Sequence, residues 1–307
     1  MVSSSPTMIQ NLPTREKKFP WRKTIWWVIY LISIAILAWY FAKGYSYYMT
    51  PFAQRPHHPQ YGQLRPAGNL GLAFGIAGSA MMILMLIYSL RKRTRLLGRF
   101  LPLQNLLEFH IYLGIMGPLL IVLHTSFKVQ GLVAVSFWSM VAVALSGFFG
   151  RYLYLQIPRN IQGNELSLQE IDQMNNYLAH ELRSNFALDD ETFRRVDAIC
   201  DASVQIGAGT VSAIMSLLRD DIFRPIAQRK LARSLSSALP FSSAQLQSFL
   251  EISFERVQVK RRIAAMARVQ QLFHYWHVIH KPFAIIMYII MCIHIGVAVW
   301  TGYAWIH

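Results

Sequence analysis

Two apolar segments of the chain each begin and end with histidine: residues 110–124 read HIYLGIMGPLLIVLH, and residues 280–294 read HKPFAIIMYIIMCIH. Fourteen residues of α-helix make nearly four turns, so the two histidines of each segment face almost the same way, roughly 21 Å apart along the helix axis. If the two helices lie side by side, the histidines of one segment face those of the other. The spacing therefore predicts two facing histidine pairs at two depths of one helical bundle.

The composition is that of a membrane protein. Hydrophobic residues make up 54% of the 307 residues and charged residues only 15%, with 30 Lys and Arg against 15 Asp and Glu. In a soluble protein this excess of basic charge would favour nucleic acid as a partner. Here the basic residues cluster beside apolar segments, which is typical of membrane topology. We therefore expect membrane lipid, and no nucleic acid, among the partners of the chain.

Five segments are long and apolar enough to cross a bilayer. They are residues 24–42, 70–90, 106–127, 133–154 and 282–305. The first is interpreted as a membrane span rather than a cleavable signal peptide, because Lys43-Gly44-Tyr45 follows it instead of a small-x-small cleavage site. The predicted fold class is an all-α membrane protein with five transmembrane helices and a helical cytoplasmic insertion between the fourth and fifth.

The domain bounds follow from these segments. They are a cytoplasmic N-terminal segment 1–23, transmembrane helices 1–4 in 24–154, a cytoplasmic helical domain 155–273, and the fifth transmembrane helix in 274–307. Within the insertion, Ser167-Leu-Gln-Glu170 is a capping box that predicts a helix to about Arg183. Other helices are expected from 189–191, over 211–234, and from 242 through the basic stretch 256–268. That stretch predicts a solvated helix face or a contact with anionic lipid headgroups.

The orientation in the membrane follows from the positions of Lys and Arg. Basic residues are concentrated before the first span and between the second and third, at Arg15, Lys17, Lys18, Arg22, Lys23, Arg91, Lys92, Arg93, Arg95 and Arg99. The loop after the first span holds only Arg55 and Arg65, and the loop after the third holds only Lys128. This pattern predicts a cytoplasmic N-terminus in a bacterial-type inner membrane. The third and fifth spans then run in the same direction, which brings the first histidine of each segment to the inner face.

Ionisable side chains inside a membrane are costly and need a reason. Imidazole is a common axial ligand of haem iron, so four histidines at matched spacing on two parallel helices predict two haem b groups, each held by two histidines. The predicted ligands are His110, His124, His280 and His294. Because Cys200 and Cys292 are the only cysteines, we expect no multi-cysteine iron–sulfur site and no C-x-x-C-H haem attachment.

The residues around the inner histidine pair leave alternatives open. Gly114 and Gly117, on the same stripe as the first histidine, either leave the backbone uncovered where a flat porphyrin lies or allow close helix packing. His274 and His277 could replace the first histidine of the second segment if Pro282 kinked the helix. Only the fourteen-residue match favours the assignment made above.

Haem propionates are anionic and bind basic side chains at the membrane edge. Arg151 and Lys281 are the expected partners at the inner haem, and Lys128 is the expected partner at the outer haem. Ordinary positive-inside charge is the alternative for the first two. Glu108 either pairs with the basic run that precedes it or takes up protons from a quinol.

The paired H-x(13)-H helices resemble the membrane di-haem cytochromes b, and their core looks like the transmembrane domain of ferric reductases and NADPH oxidases. In that family the third and fifth helices carry the haem ligands. The likeness covers roughly residues 70–154 and 274–305 and implies bis-histidine ligation of two haems. The chain departs from the family in its long cytoplasmic insertion and in ending soon after the last span, without a flavin and NAD(P)H module. We therefore expect a subunit that receives electrons from quinol or from a docked redox subunit.

The expected function is that of a di-haem b-type cytochrome subunit of an oxidoreductase complex. It would carry electrons between a quinone or cytoplasmic-side donor and a periplasmic partner, such as a c-type cytochrome or an iron–sulfur or flavin subunit. The alternative is a non-redox membrane anchor or assembly subunit that recruits partners through its helical domain. A third hypothesis, a divalent-metal transporter, is disfavoured because Glu108 is the only carboxylate close to the spans.

Overall fold

The computed structural model describes residues 21–93, 103–158, 166–204, 206–207, 209–236 and 243–302. Every regular element in this part of the chain is a helix, as the sequence predicts. The helices are α1 Trp21–Lys43, α2 Tyr45–Met49, α3 Tyr61–Leu64, α4 Asn69–Leu84, α5 Leu86–Arg93, α6 Leu103–Thr125, α7 Gly131–Gln156, α8 Leu168–Asn185, α9 Asp190–Ala202, α10 Thr210–Ile222, α11 Arg224–Ser236 and α12 Ser243–Trp300. The basic residues at 15–18 and at 95–99, which contribute to the predicted orientation, lie outside the described residues.

Five helical segments are long and apolar enough to cross a membrane, which confirms the predicted fold class. They are Thr24–Lys43, Tyr61–Lys92, Asn105–Thr125, Gly131–Gln156 and Gln245–Trp300. Helices suit this solvent because they satisfy their backbone hydrogen bonds internally. Large apolar side chains cover the outer surface of the spans, among them Leu31, Trp138, Leu145, Ile285 and Ile289. In lipid, such side chains lie in an apolar solvent rather than in water.

The chain divides into two compact units. In the described residues, the membrane-spanning unit comprises 21–149 and 277–302, and the helical unit is Gly150–Trp276. The long helix α12 contributes to both units and passes through Pro282 without interruption.

The loop that follows α1 is bonded to the end of α6 in the membrane-spanning unit. In the same unit, α4 packs along α6. Arg55, which the sequence analysis places in the loop after the first span, is buried, with 6% of its surface exposed. Its guanidinium donates hydrogen bonds to the carbonyl oxygens of Tyr48 at 2.7 Å and Ser126 at 2.5 Å. The hydroxyl of Ser126 in turn donates to the carbonyl of Leu64 at 2.6 Å. Arg55 therefore ties the loop after α1 to the end of α6.

The helical unit is built around the first half of α12. Buried side chains from α8, α9, α11 and α12 form its core, including Leu182, Val196, Leu235 and Phe249. The predicted capping box is present: Ser167 accepts a hydrogen bond from the backbone N–H of Glu170, whose carboxylate accepts from the backbone of Ser167.

The predicted single helix over 211–234 is wrong. The structure has two helices there, α10 and α11, separated at Phe223. Pro225 explains the interruption, because proline lacks the N–H that would continue the hydrogen-bond ladder, whereas it is tolerated in the first turn of a new helix.

Three cations of the basic stretch 256–268 form ion pairs within the helical unit. The side chain of Arg256 is 4% exposed and lies 2.8 Å from the carboxylate of Asp197, which also binds Lys260 at 2.5 Å. Arg261 binds Asp221 at 2.5 Å. These cations are paired inside the unit because α12 is its central helix, so its charged residues meet acidic residues on the helices packed around it.

Candidate functional site

His124 is held against the backbone of α4. Its Nδ1 donates a hydrogen bond of 2.8 Å to the carbonyl oxygen of Gly71. The ring lies so close to Gly75 that a Cβ atom on this glycine would be 2.6 Å from Nδ1. Because a carbonyl oxygen can only accept, the proton is on Nδ1 and the lone pair available to a metal is on Nε2.

His110 is held in the same way by the break between α4 and α5. Its Nδ1 donates to the carbonyl oxygen of Met85 at 3.3 Å. Met85 lies between α4 and α5, the two helices of the predicted second span. Its carbonyl oxygen also accepts a hydrogen bond of 3.2 Å from the backbone N–H of Tyr88. The ring of Tyr88 lies 5.1 Å from the imidazole of His110, measured between centroids.

His280, on α12, is oriented by a serine on α7. Its Nδ1 lies 2.7 Å from the hydroxyl oxygen of Ser146, and that hydroxyl donates its proton to the carbonyl of Val143 at 2.9 Å. The serine hydroxyl has one proton, so toward His280 it acts as an acceptor and the imidazole donates. Three of the four predicted ligands are therefore assigned the same tautomer, with Nε2 as the unprotonated nitrogen.

Electrostatic interactions between α6 and α12 group the histidines into two pairs. The imidazole of His280 is close enough to His110 to interact with it electrostatically, and His124 interacts with His294 in the same way. Both pairs lie within the membrane-spanning unit. One pair consists of the first histidine of each segment, and the other pair consists of the second histidine of each segment. The helix α6 and the last part of α12 therefore run in the same direction.

The layer between the two pairs is filled by apolar side chains. Met82, Met140, Met287 and Met291 form a buried cluster, with Tyr288 packed against it. The hydroxyl of Tyr288 donates to the carbonyl of Met82 at 2.5 Å, and the hydroxyl of Ser136 donates to the carbonyl of Met287 at 3.0 Å. These bonds join α4 and α7 to α12 at positions between the two histidine levels.

Gly114 and Gly117 both face the second span. A Cβ atom on Gly114 would lie 3.3 Å from Cε of Met85, and one on Gly117 would lie 3.2 Å from Cγ of Met82. The geometry shows close packing of α6 against the second span at both glycines, against Met85 at Gly114 and against α4 at Gly117. A role in leaving room for a porphyrin stays a prediction.

The expected partners of the haem propionates occupy different surroundings. Arg151 lies in the helical unit with its guanidinium 5.4 Å from the ring centroid of Tyr154. Lys128 and Lys281 are exposed in the membrane-spanning unit. Propionate binding by these three residues stays a prediction.

Within the described residues, no group of three or more His, Cys, Asp or Glu side chains could hold a metal ion. A bis-histidine haem does not require one, because the porphyrin nitrogens supply the other four ligands of the iron. Cys200 is buried in the helical unit, and burial raises the pKa of its thiol to about 11. Cys200 is therefore an inert core residue rather than a ligand.

Sequence reasoning missed the residues that orient the histidines, namely Gly71, Gly75, Met85 and Ser146. The one available signal is the small-residue stripe Gly71-x3-Gly75 on the second span, a spacing that favours close approach of another helix. Nothing in the sequence singles out Met85 or Ser146, because each acts through contacts with a distant helix.

Comparisons of the chain with protein-family models, curated proteins and solved structures found no match.

Proposed function

We propose that the chain is a di-haem b-type cytochrome subunit that transfers electrons across a membrane. The observation that carries this proposal is the presence of two histidine pairs, with three of the four imidazoles fixed as the Nδ1–H tautomer. A histidine that binds a metal through Nε2 almost always donates its other ring N–H to a carbonyl, a carboxylate or water. The acceptors for His110, His124 and His280 supply this second interaction.

The donor set fits haem better than a small metal ion. Each pair supplies two imidazoles, which is the number of axial ligands that a six-coordinate haem iron takes from the protein. His110 and His280 would hold one haem, and His124 and His294 the other. Haem iron supplies a one-electron carrier when bound. The protein would supply the imidazoles, an orienting hydrogen bond to three of them, and apolar side chains around the two pairs.

The spacing of the pairs suits transfer across the bilayer. Fourteen residues of helix separate the two levels by roughly 21 Å, against a hydrocarbon core about 30 Å thick. We assign the His110–His280 level to the cytoplasmic side of a bacterial-type inner membrane, with the N-terminus cytoplasmic, because of the basic residues around the first three spans. The donor would be a quinone or a cytoplasmic-side protein. The acceptor would be a periplasmic c-type cytochrome or a subunit with an iron–sulfur or flavin group.

The test is an absorbance spectrum and haem analysis of the purified chain. We expect a reduced α-band typical of haem b and about two haems per polypeptide. The variants His124→Ala and His294→Ala should each lose one haem and leave the other in place, and a redox titration should change from two midpoints to one. His180→Ala is the matched control, because this histidine is exposed in the helical unit and should leave both haems bound.

Absence of haem from preparations made in the native source would overturn the proposal. If, in addition, all four paired histidines tolerated alanine while deletion of 155–273 abolished function, the chain would instead be a membrane anchor or assembly subunit. Metal analysis separates these outcomes from a transporter, since iron in porphyrin and free transition metal give different spectra.

A further inference from the structure

We propose that α10 and α11 dock onto an anionic lipid surface. These two helices and the turn between them, residues 209–236, are called the α10–α11 hairpin. This inference goes beyond the proposed function and does not depend on haem binding. It rests on an exposed apolar stripe, on a set of basic side chains beside it, and on the covalent attachment of the hairpin to two membrane-spanning helices.

The apolar stripe runs along the outer face of α10. Val211, Met215 and Ile222 are 74%, 62% and 69% exposed. Their spacing of four and then seven residues puts all three on one side of the helix. The opposite face is already used, because Ala213 and Leu217 are each 1% exposed and packed into the helical unit. The helix α10 is therefore apolar on two faces, and only one of them is covered.

The apolar surface continues around the turn into α11. Phe223 and Ile226 are 52% and 61% exposed. The inner face of α11 carries Leu231 and Leu235, which belong to the core of the unit. Both helices therefore pack inward with one set of apolar residues and present a second set outward.

The hairpin also carries a positive charge. Residues 209–236 contain five basic side chains and two acidic ones. The basic residues are Arg219, Arg224, Arg229, Lys230 and Arg233. The two carboxylates are engaged: Asp220 lies 3.2 Å from Arg219, and Asp221 lies 2.5 Å from Arg261 on α12. The charge that remains on the outer part of the hairpin is positive.

Lipid is the occupant that fits both features. A helix with large apolar side chains and flanking Lys and Arg lies in the headgroup region, with its apolar face at the boundary of the acyl chains and its cations beside lipid phosphates. The chain enters the helical unit directly from α7 and leaves it through α12, both long and apolar enough to cross a membrane. The helical unit that carries the hairpin is therefore tethered to membrane-spanning helices at both of its ends.

The test uses the full chain in lipid nanodiscs and a fluorophore at position 215. Met215→Cys is made in a Cys292→Ser background, where the remaining Cys200 is fully buried; protein without the new cysteine checks that Cys200 does not react. Nanodiscs contain phosphatidylcholine alone or a mixture with phosphatidylglycerol. Nitroxide groups attached at the headgroup, or shallow or deep in the acyl chain, report contact with lipid by quenching the fluorophore.

Two matched controls accompany this variant. Ala198→Cys labels an exposed position on α9 in the same unit. For charge, Arg229→Glu with Lys230→Glu on α11 is compared with Arg194→Glu with Arg195→Glu on α9. The second pair makes the same charge change on a helix that lacks the apolar stripe, and all four side chains are exposed.

We expect the label at 215 to lose most of its fluorescence to headgroup and shallow quenchers in anionic nanodiscs, and the label at 198 to keep its fluorescence. The α11 charge reversal and high salt should restore the signal at 215, whereas the α9 reversal should not. Absence of quenching at 215 in both lipids, or equal quenching in both that ignores salt, would overturn the proposal. A label that is shielded from water but is not quenched by the lipid nitroxides would show that position 215 is buried against protein. If that shielding depended on the number of chains per nanodisc, the covering protein would be a second copy of the chain.

Discussion

The imidazole of His124 lies against Gly75, at a distance where a Cβ atom would be 2.6 Å from its Nδ1. The glycine allows the ring to approach the backbone of α4 and to donate to the carbonyl of Gly71. An imidazole held in this way cannot turn without losing the hydrogen bond. The orientation of the proposed ligand is therefore determined by a missing side chain on a neighbouring helix.

Gly75→Ala should remove the haem at the His124–His294 level. In a helix, alanine is intrinsically more favourable than glycine by about 1 kcal/mol, so any loss must come from the clash with His124. We expect the haem content to fall from about two to about one per chain, with loss of one redox midpoint.

Gly147→Ala is the control for this substitution. Gly147 lies inside α7, and a Cβ atom there would meet nothing within 4 Å. This variant should keep both haems. Full haem occupancy in Gly75→Ala would show that His124 does not need the position seen in the structure.

Ser146→Ala should weaken haem binding at the other level. The substitution removes the acceptor for Nδ1 of His280, and loss of such an outer contact typically lowers metal affinity about 10–100-fold. Haem retention on dilution and the midpoint of this haem are the measurements. Ser146→Thr, which keeps the hydroxyl, should restore both.

Ser136→Ala separates this effect from a general loss of packing. The hydroxyl of Ser136 also joins α7 to α12, by donating a hydrogen bond to the carbonyl of Met287. Unlike the bond at Ser146, this bond does not involve a histidine ring. Ser136→Ala should cost about 1 kcal/mol of stability and leave haem affinity unchanged. Equal haem loss in both variants would mean that Ser146 acts only through helix packing.

Arg55→Ala should destabilise the membrane-spanning unit. Its guanidinium satisfies the carbonyls of Tyr48 and Ser126 in a buried site, and each buried acceptor left unsatisfied costs about 1–3 kcal/mol. Thermal unfolding in detergent should begin at a clearly lower temperature. Arg65→Ala removes an exposed arginine from the same loop and should change stability by less than about 0.5 kcal/mol; equal effects would contradict the structural role of Arg55.

The helical unit should lose stability in acid. Burial raises the pKa of Asp197, but the hydrogen bond from Lys260 and the charges of Arg256 and Lys260 outweigh it and hold this pKa below its ordinary value. A lowered carboxyl pKa contributes stability that is present above the ordinary value and lost as pH falls through the lowered one. Unfolding temperatures should therefore be flat near neutral pH and fall below about pH 4.

Asp197→Asn should remove part of this acid dependence. It should also lower stability at neutral pH by roughly 1–3 kcal/mol, less than for a fully buried pair because Asp197 is 32% exposed. Asp190→Asn, at a side chain that is 80% exposed, is the control. An unchanged pH profile in Asp197→Asn would show that other carboxylates account for the acid sensitivity.

Much of the fold could be predicted because it depends on local pattern. Five apolar segments are sufficient to indicate five membrane-spanning helices, since lipid requires a backbone that satisfies its own hydrogen bonds. The capping box at Ser167 was readable for a similar reason, because its two hydrogen bonds join residues three positions apart. The break between α10 and α11 also has a local cause, because Pro225 marks it, and the prediction of a single helix over 211–234 takes no account of this proline.

The sequence by itself determined the spacing of the four histidines, because a helix has a fixed rise and turn per residue. Tertiary structure decided which groups hold them. His124 meets Gly71 across 53 positions of sequence, and Ser146 meets His280 across 134. Hydrogen bonds of this kind depend on which faces of distant helices come within 3 Å of each other, and no local pattern encodes that distance.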